Sequence, residues 1–285
     1  MIHFLSGLFV FIWATGFIVA GVVSTRADPL TFLTARHAFS IVVFTLLSVA
    51  VRAAWPRDPR VWRDAMVAGM LLHGFYIGGV FWAVSQGLGA GMMGLITGLH
   101  PLFTAVLALP LLHERLNARQ WIGIFVGVLG VGLIVAPRMG SVEGIPMHAL
   151  GVALLATLSL TLGTIWQKRS KPEMDLRVNA AIQFVGAFVL TAPLAFALEA
   201  NRFDASPALW GALAWAVLGL SVGGISILLV LLRRGAASKV APLLYLSPPI
   251  AAVMALVIFG EALVPVQIAG MVLAVIGAFA ARYRS

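Results

Sequence analysis

The sequence predicts an all-α integral membrane protein with ten transmembrane helices. Of its 285 residues, 61% are hydrophobic and only 10% are charged, whereas soluble domains carry about 25% charged residues. Most of the charges lie between long apolar runs, and a bilayer core about 30 Å thick needs roughly 20 apolar helical residues to be crossed. The chain has no cysteine, which excludes disulfides, thiolate nucleophiles and Cys-ligated metal sites.

The spans follow from the gaps between charged residues. Two of them come from the 49 uncharged residues between Asp64 and Glu114, which are too many for one helix and are divided by the glycine-rich segment 86–91. The other eight cover about 4–23, 31–51, 120–137, 149–167, 178–198, 208–232, 240–260 and 264–281. All connections are short, so the chain has no room for a soluble catalytic or ATP-binding domain.

The distribution of cations predicts the orientation. With the N-terminus in the cytoplasm, 15 of the 19 lysines and arginines fall in inside loops, and only Arg26, Arg36, Arg138 and Arg202 fall on the outer side. The positive-inside rule therefore places both termini in the cytoplasm. This distribution also accounts for the net charge of +9 without a nucleic-acid partner.

An internal repeat appears when the chain is compared with itself at an offset of 147 positions. The offset aligns Pro101 with Pro248 and Glu114 with Glu261, together with Gln120 and Gln267. We therefore expect a first repeat over 1–137 and a second over 148–285, each with five helices. Because five is an odd number, the second repeat enters the membrane from the opposite side, as in many secondary transporters.

Several of these features together resemble a known family. They are the five-plus-five helices, Trp13-Ala14-Thr15-Gly16-Phe17 in the first helix, and a proline-containing fourth and ninth helix that each end in Glu before a glycine-rich helix. They resemble the EamA branch of the drug/metabolite transporter superfamily, and within it the YddG-type exporters. The resemblance implies a bacterial inner-membrane exporter of aromatic and other neutral amino acids, which works by alternating access. It also implies a small-molecule substrate, a monomer in the lipid bilayer, and no cofactor, metal or enzymatic activity.

Few polar groups lie within the spans, and these are the first candidates for substrate binding. His73 and Tyr76 lie three residues apart in the third helix, and Thr97 and His100 have the same spacing in the fourth. Intramembrane histidines are functional candidates by default. Gln183 in the seventh helix and Tyr245 in the ninth complete the polar set. The alternative for each is a hydrogen bond that holds neighbouring helices together.

Aromatic side chains supply the candidate apolar wall. Trp13, Phe17, Phe81 and Trp166 are placed to line a cavity for a large side chain. Trp166 has a second interpretation as an interface anchor, since Lys168 follows it closely.

Prolines and glutamates give structural predictions. Pro101 and Pro248 remove a backbone donor inside a span, which favours a gate or hinge over a continuous helix, the alternative being a static kink. Glu114 and Glu261 are expected to cap the helices that follow them, the fifth and the tenth. Arg36 is expected to extend its side chain outward to water or to pair with Asp28.

The absent motifs narrow the function. No carboxylate lies in the middle of a span, so a neutral or zwitterionic solute is favoured over an organic cation. The sequence Gly219-Leu220-Ser221-Val222-Gly223 matches the nucleophile pattern of serine hydrolases, but no histidine follows position 148. An intramembrane serine protease is therefore a weaker alternative than export of another small metabolite by the same fold.

Overall fold

Helices make up nearly all of the computed structural model, which describes residues 2–112, 117–139, 146–170, 174–233, 246–261 and 264–281. Within these residues the only β-type pairing is an isolated bridge between Ala27 and Phe203. The α-helices are α1 (Ile2–Ser24), α2 (Pro29–Ala50), α3 (Pro59–Gly69), α4 (Tyr76–Ser85), α5 (Ala90–Thr97), α6 (His100–Leu112), α7 (Ala118–Met139), α8 (Met147–Ser170), α9 (Leu176–Leu198), α10 (Pro207–Ala214), α11 (Gly224–Arg233), α12 (Ser247–Phe259) and α13 (Pro265–Ala281).

Two π-helical segments join pairs of these helices into longer rods. Segment π1 (Met70–Phe75) connects α3 to α4, and π2 (Trp215–Gly223) connects α10 to α11. The offset of 147 that aligns the two halves of the sequence carries π1 onto residues 217–222, within π2. Single π-helical turns inside α-helices occur frequently at functional sites.

Six helices are long and apolar enough to cross a bilayer, and they begin at residues 4, 29, 59, 147, 176 and 207. Three shorter apolar helices coincide with the predicted fifth, ninth and tenth spans, at Ala118–Ile134, Ser247–Phe259 and Pro265–Gly277. The all-helical membrane character is thus confirmed for the described chain. The count of ten spans and the side on which the termini lie stay predictions.

The predicted fourth span is interrupted. Helix α5 ends at Thr97 and α6 begins at His100, so that Pro101 lies in the first turn of a new helix. Pro248 lies in the first turn of α12 in the same way. Proline suits this position because its missing N–H would have no intrahelical partner there. A Cβ atom at Gly98, between α5 and α6, would lie 3.1 Å from the Pro248 ring, so the two irregular points pack together.

The tightest helix packing joins α7 to α13. Added side-chain atoms at Gly130 would collide with the backbone of Gly270 and Ala274, so the two backbones touch. Gly277 packs in the same manner on Gly123 and Gly127. Small residues at a helix interface allow backbones to approach this closely. The outer face of α7 carries exposed Trp121, Ile122 and Phe125, as a lipid-facing surface requires.

Candidate binding cavity

A cavity of about 290 Å³ lies inside the bundle, surrounded by α1, α2, π1, α4, α8, α9, π2 and α11. This volume is close to the lower end of the range of small-molecule sites. The aromatic part of its wall consists of Phe9, Trp13, Phe17, Tyr76, Phe81 and Phe184. The other polar side chains of the wall are Arg36, His73, Thr164, Gln167, Asn179, Gln183 and Ser221.

Six residues that the sequence singled out for binding line this cavity: Trp13, Phe17, His73, Tyr76, Phe81 and Gln183. Helix α1 supplies the first two from one face, and π1 with α4 supplies the next three. Tyr245 lies outside the described residues, as does Glu114. Their predicted roles therefore stay predictions.

Three further candidates lie outside the lining. The Thr97 hydroxyl donates to the carbonyl of Met93 in its own helix, at 3.0 Å. His100 contacts a residue of the wall, since its Nε2 lies 3.3 Å from Oγ1 of Thr164. Trp166 donates from its indole N–H to the carbonyl of Asp64 at 3.1 Å and is 37% exposed. That geometry fits the alternative of an anchor near the end of α8.

His73 is held against the cavity by aromatic stacking. Its ring lies 4.6 Å from that of Phe184, with 22° between the planes. Its Nδ1 atom is buried and has no hydrogen-bond partner. The π-helical turn thus presents an imidazole with one unused polar atom at the cavity wall.

Arg36 contradicts the expectation drawn from its sequence. Its side chain neither extends outward to water nor pairs with Asp28. Only 5% of it is exposed, and it lines the cavity. Asp28 instead accepts from the backbone N–H of Arg202 at 2.8 Å and lies 3.8 Å from that residue's guanidinium. The partner of Asp28 is therefore an arginine 174 positions away in the chain.

Asn179 is a second lining residue that the sequence did not single out. It lies four positions before Gln183 in α9, a spacing that places both amides on one face of the helix. Each is only 5% exposed, and Oδ1 of Asn179 has no hydrogen-bond partner. The sequence signal that could have identified Asn179 is its position, one helical turn from the candidate Gln183.

One end of the bundle is held closed by contacts between the two halves of the chain. Glu199 accepts from the backbone N–H groups of Leu30 and Thr31, both at 2.8 Å, and Glu261 accepts from those of Ala90 and Gly91, both at 2.9 Å. Carboxylates are favourable at helix N-termini, where backbone donors are unpaired. We call this region, formed by Asp28, Glu199, Arg202 and Glu261, the tied end.

Glu261 therefore caps a different helix from the one expected. It caps α5, in the other half of the chain, and not α13, which follows it. The start of α13 already has a cap, because Oε1 of Gln267 accepts from the N–H of Val264 at 3.1 Å. The same glutamine donates to the carbonyl of Ile134 at 3.1 Å and so also fastens α13 to α7.

The cavity lies away from the tied end. Helix α1 contributes residues 9 to 17 to the wall, whereas Gly21, one turn further on, packs against the Phe259 ring near the end of α12. At the other extreme the wall reaches Gln167, near the end of α8, and Leu176, at the start of α9. The cavity thus extends from the interior of the bundle toward these two helix ends.

Ser221, the serine of the hydrolase-like pattern, lies in this wall, and its hydroxyl contacts no catalytic base among the described residues. Its hydroxyl donates to the carbonyl of Ala216 at 3.1 Å and accepts from Arg36 at 3.4 Å. Among the described residues no histidine is hydrogen-bonded to it, so the pair of nucleophile and base that a serine hydrolase needs is not formed there.

Comparison with known proteins agrees with this architecture. The profile of the EamA-like transporter family matches residues 1–136 and 147–283. A probable amino-acid metabolite efflux pump from Salmonella typhimurium is 28% identical over 97% of this chain and 93% of its own length. A protein of the same description from Escherichia coli is 24% identical over 96% of this chain and 92% of its own. A crystal structure that covers 98% of this chain and 95% of its own shares the fold, with a TM-score of 0.67 at 20% identity.

Proposed function

This chain belongs to the EamA-like transporter family, and on that premise we propose that it exports neutral amino acids with aromatic or large apolar side chains. It is a multi-pass protein of the bacterial inner membrane. The relatives described as probable amino-acid metabolite efflux pumps support export of amino acids or of compounds made from them.

The cavity inside the bundle is the observation on which this proposal rests. Its volume of about 290 Å³ suits one small solute, and its aromatic wall suits an apolar side chain. The amides of Asn179 and Gln183 add neutral donors and acceptors for the polar end of that solute. In the described part of the chain no Asp or Glu belongs to the lining, which disfavours an organic cation.

The proposed mechanism is alternating access between two inverted repeats of five helices each. Three related pairs of features support the repeats: π1 and π2, the helix-starting Pro101 and Pro248, and the capping Gln120 and Gln267. With both termini in the cytoplasm, the tied end is periplasmic and the cavity extends toward the cytoplasm. The described structure then represents the state that loads solute, and export requires the ties of Glu199 and Glu261 to open.

Proteoliposomes loaded with labelled Phe, Trp or Leu test the proposal. Gly16 provides a matched pair of variants, because a Cβ atom there would meet only the Leu220 side chain, at 3.8 Å. We expect protein-dependent efflux that survives Gly16→Ala and is abolished by Gly16→Trp, which fills the cavity. Absence of protein-dependent flux for every neutral amino acid would refute the proposed substrate.

Export of another small metabolite is the second candidate, favoured by the polar groups on the wall. It predicts flux of that metabolite without competition from Phe or Trp in the same liposomes. Flux of a labelled amino acid with and without an imposed pH gradient separates proton-coupled export from facilitated diffusion.

A further inference from the structure

The strongest unexplained feature of the cavity is a buried cation without a counter-charge. Arg36 is 5% exposed, and within the described parts of the chain no carboxylate lies within 4.0 Å of it. A buried charge without a partner is costly, in water-soluble proteins and in membranes alike. An arginine kept in such a place is a functional candidate by default.

The hydrogen bonds of Arg36 leave most of its donors free. A guanidinium has five N–H donors in a planar fork, and the structure gives this one a single long contact, 3.4 Å from Nη2 to Oγ of Ser221. Its Nε is buried and has no partner. The side chain is part of the cavity wall, so a solute in the cavity lies next to it.

We propose that Arg36 binds the carboxylate of the transported solute, and that the carboxylate, not the ammonium, is the charged group the cavity selects. This inference deepens the proposed function and rests on it. A carboxylate matches the guanidinium fork with two parallel hydrogen bonds and supplies the missing negative charge.

The rest of the wall makes the ammonium dispensable. Among the residues that the structure describes, the lining contains no acid. The ammonium of an amino acid therefore meets only neutral acceptors there, of which the unpartnered Oδ1 of Asn179 is one. The cavity should therefore accept carboxylic acids that lack a charged amine, such as N-acetylphenylalanine and phenylpyruvate. It should reject phenylalaninamide, which carries a positive charge and no carboxylate.

The competing explanation is that Arg36 only fastens α2 to π2 through Ser221. Two variants separate the explanations. Ser221→Ala removes the fastening and keeps the cation, whereas Arg36→Gln removes the cation and keeps a polar side chain. A fastening role predicts that both variants lower the thermal unfolding temperature, with equal effects on every ligand.

Binding to the purified protein tests the proposal independently of transport. We would measure ligand-induced thermal shifts and competition against labelled Phe for phenylalanine, N-acetylphenylalanine, phenylpyruvate and phenylalaninamide. The wild type should bind the three carboxylates and not the amide. Arg36→Gln should weaken carboxylate binding about 10- to 100-fold without lowering the unfolding temperature. Ser221→Ala changes a residue of the wall but keeps the cation, so it should still bind the three carboxylates and not the amide. Arg36→Lys should fall between Arg36→Gln and the wild type, since it keeps the charge and loses the fork.

Several outcomes would overturn the proposal. These are binding of the amide as tight as that of phenylalanine, unchanged carboxylate binding in Arg36→Gln, or absence of binding by all three carboxylates. Failure of the proposed function looks different. In that case the liposomes show no amino-acid flux, while Arg36-dependent binding of other carboxylates persists.

Discussion

Glu261 caps the helix that begins at Ala90, through hydrogen bonds that cross from one half of the chain to the other. The carboxylate reaches this helix start because Gly89 and Gly91 leave room for it: a Cβ atom at Gly89 would lie 2.6 Å from Oε2 of Glu261. The cap is one of the ties that hold the bundle closed at the end remote from the cavity.

Replacing Glu261 should loosen the tied end. Glu261→Ala removes the acceptor for two backbone N–H groups and should cost about 1 kcal/mol of stability, as the loss of an N-cap does. Glu261→Gln keeps an acceptor and should cost less. The chain has no cysteine, so a single Cys at Gly16 can report access by maleimide labelling. The alanine variant should raise labelling from the periplasmic side of membrane vesicles, and unchanged labelling would contradict the role of this tie.

The contact between α7 and α13 should tolerate no added atoms. Gly130→Ala places a methyl group against the backbone of Ala274 and Gly270 and should destabilise the protein by about 1–3 kcal/mol. Gly132→Ala is the matched control, because a Cβ atom there meets nothing within 4 Å. It should be neutral or stabilising, since alanine is the better helix former by about 1 kcal/mol. Thermal unfolding in detergent measures both variants, and equal effects would contradict backbone contact at Gly130.

The two histidines that the sequence singled out for substrate binding should differ in their effect on transport. His73 lines the cavity, whereas His100 reaches it only through Thr164. We expect His73→Leu to lower the rate of amino-acid efflux at least about tenfold, the effect of losing one to two hydrogen bonds to substrate. His100→Gln keeps a polar side chain and should change the rate less than about threefold. A larger effect from His100→Gln than from His73→Leu would reverse this assignment.

Replacement of the two candidate tryptophans should have different effects on efflux and on stability. Trp13→Ala enlarges the cavity and removes part of its aromatic wall, so the apparent affinity should fall more for Trp and Phe than for Leu. Trp166→Phe removes one hydrogen bond to the Asp64 carbonyl. It should leave efflux unchanged and lower stability by about 1 kcal/mol. Efflux assays with the three labelled amino acids, together with thermal unfolding, check both expectations.

Local features of the sequence predicted much of the fold. The spacing of charged residues predicted the long apolar helices, and Pro101 predicted the break in the fourth span. Both features act on the backbone within a few residues of themselves, so they can be recognised in the sequence. His73 and Tyr76 followed from polarity within apolar runs, and Trp13, Phe17 and Phe81 followed from their aromatic side chains. His73 and Tyr76 share a helix face at that spacing, so finding one on the wall implied the other.

The features that the sequence did not predict, such as the burial of Arg36 and the helix that Glu261 caps, depend on residues far away in the chain. Arg36 lies seven positions after the start of α2, a distance at which an arginine commonly extends to water. Asp28 contacts Arg202 instead, 174 positions away in the chain. The target of Glu261 was missed for the same reason, since Ala90 lies 171 positions away. Thr97 lies outside the lining, where its hydroxyl donates to a carbonyl of its own helix, so its role in binding stays a prediction.

The two π-helical segments give the cavity wall a way to change that leaves its helices intact. Each stores a surplus residue compared with a regular α-helix, and one residue corresponds to a rotation of about 100° and a rise of 1.5 Å. Converting π1 or π2 to α-helical geometry, or shifting the surplus along the rod, would turn a run of side chains, including His73 or Ser221, toward or away from the solute. Each rod would then present a different set of side chains to the solute, while every helix keeps its backbone hydrogen bonds.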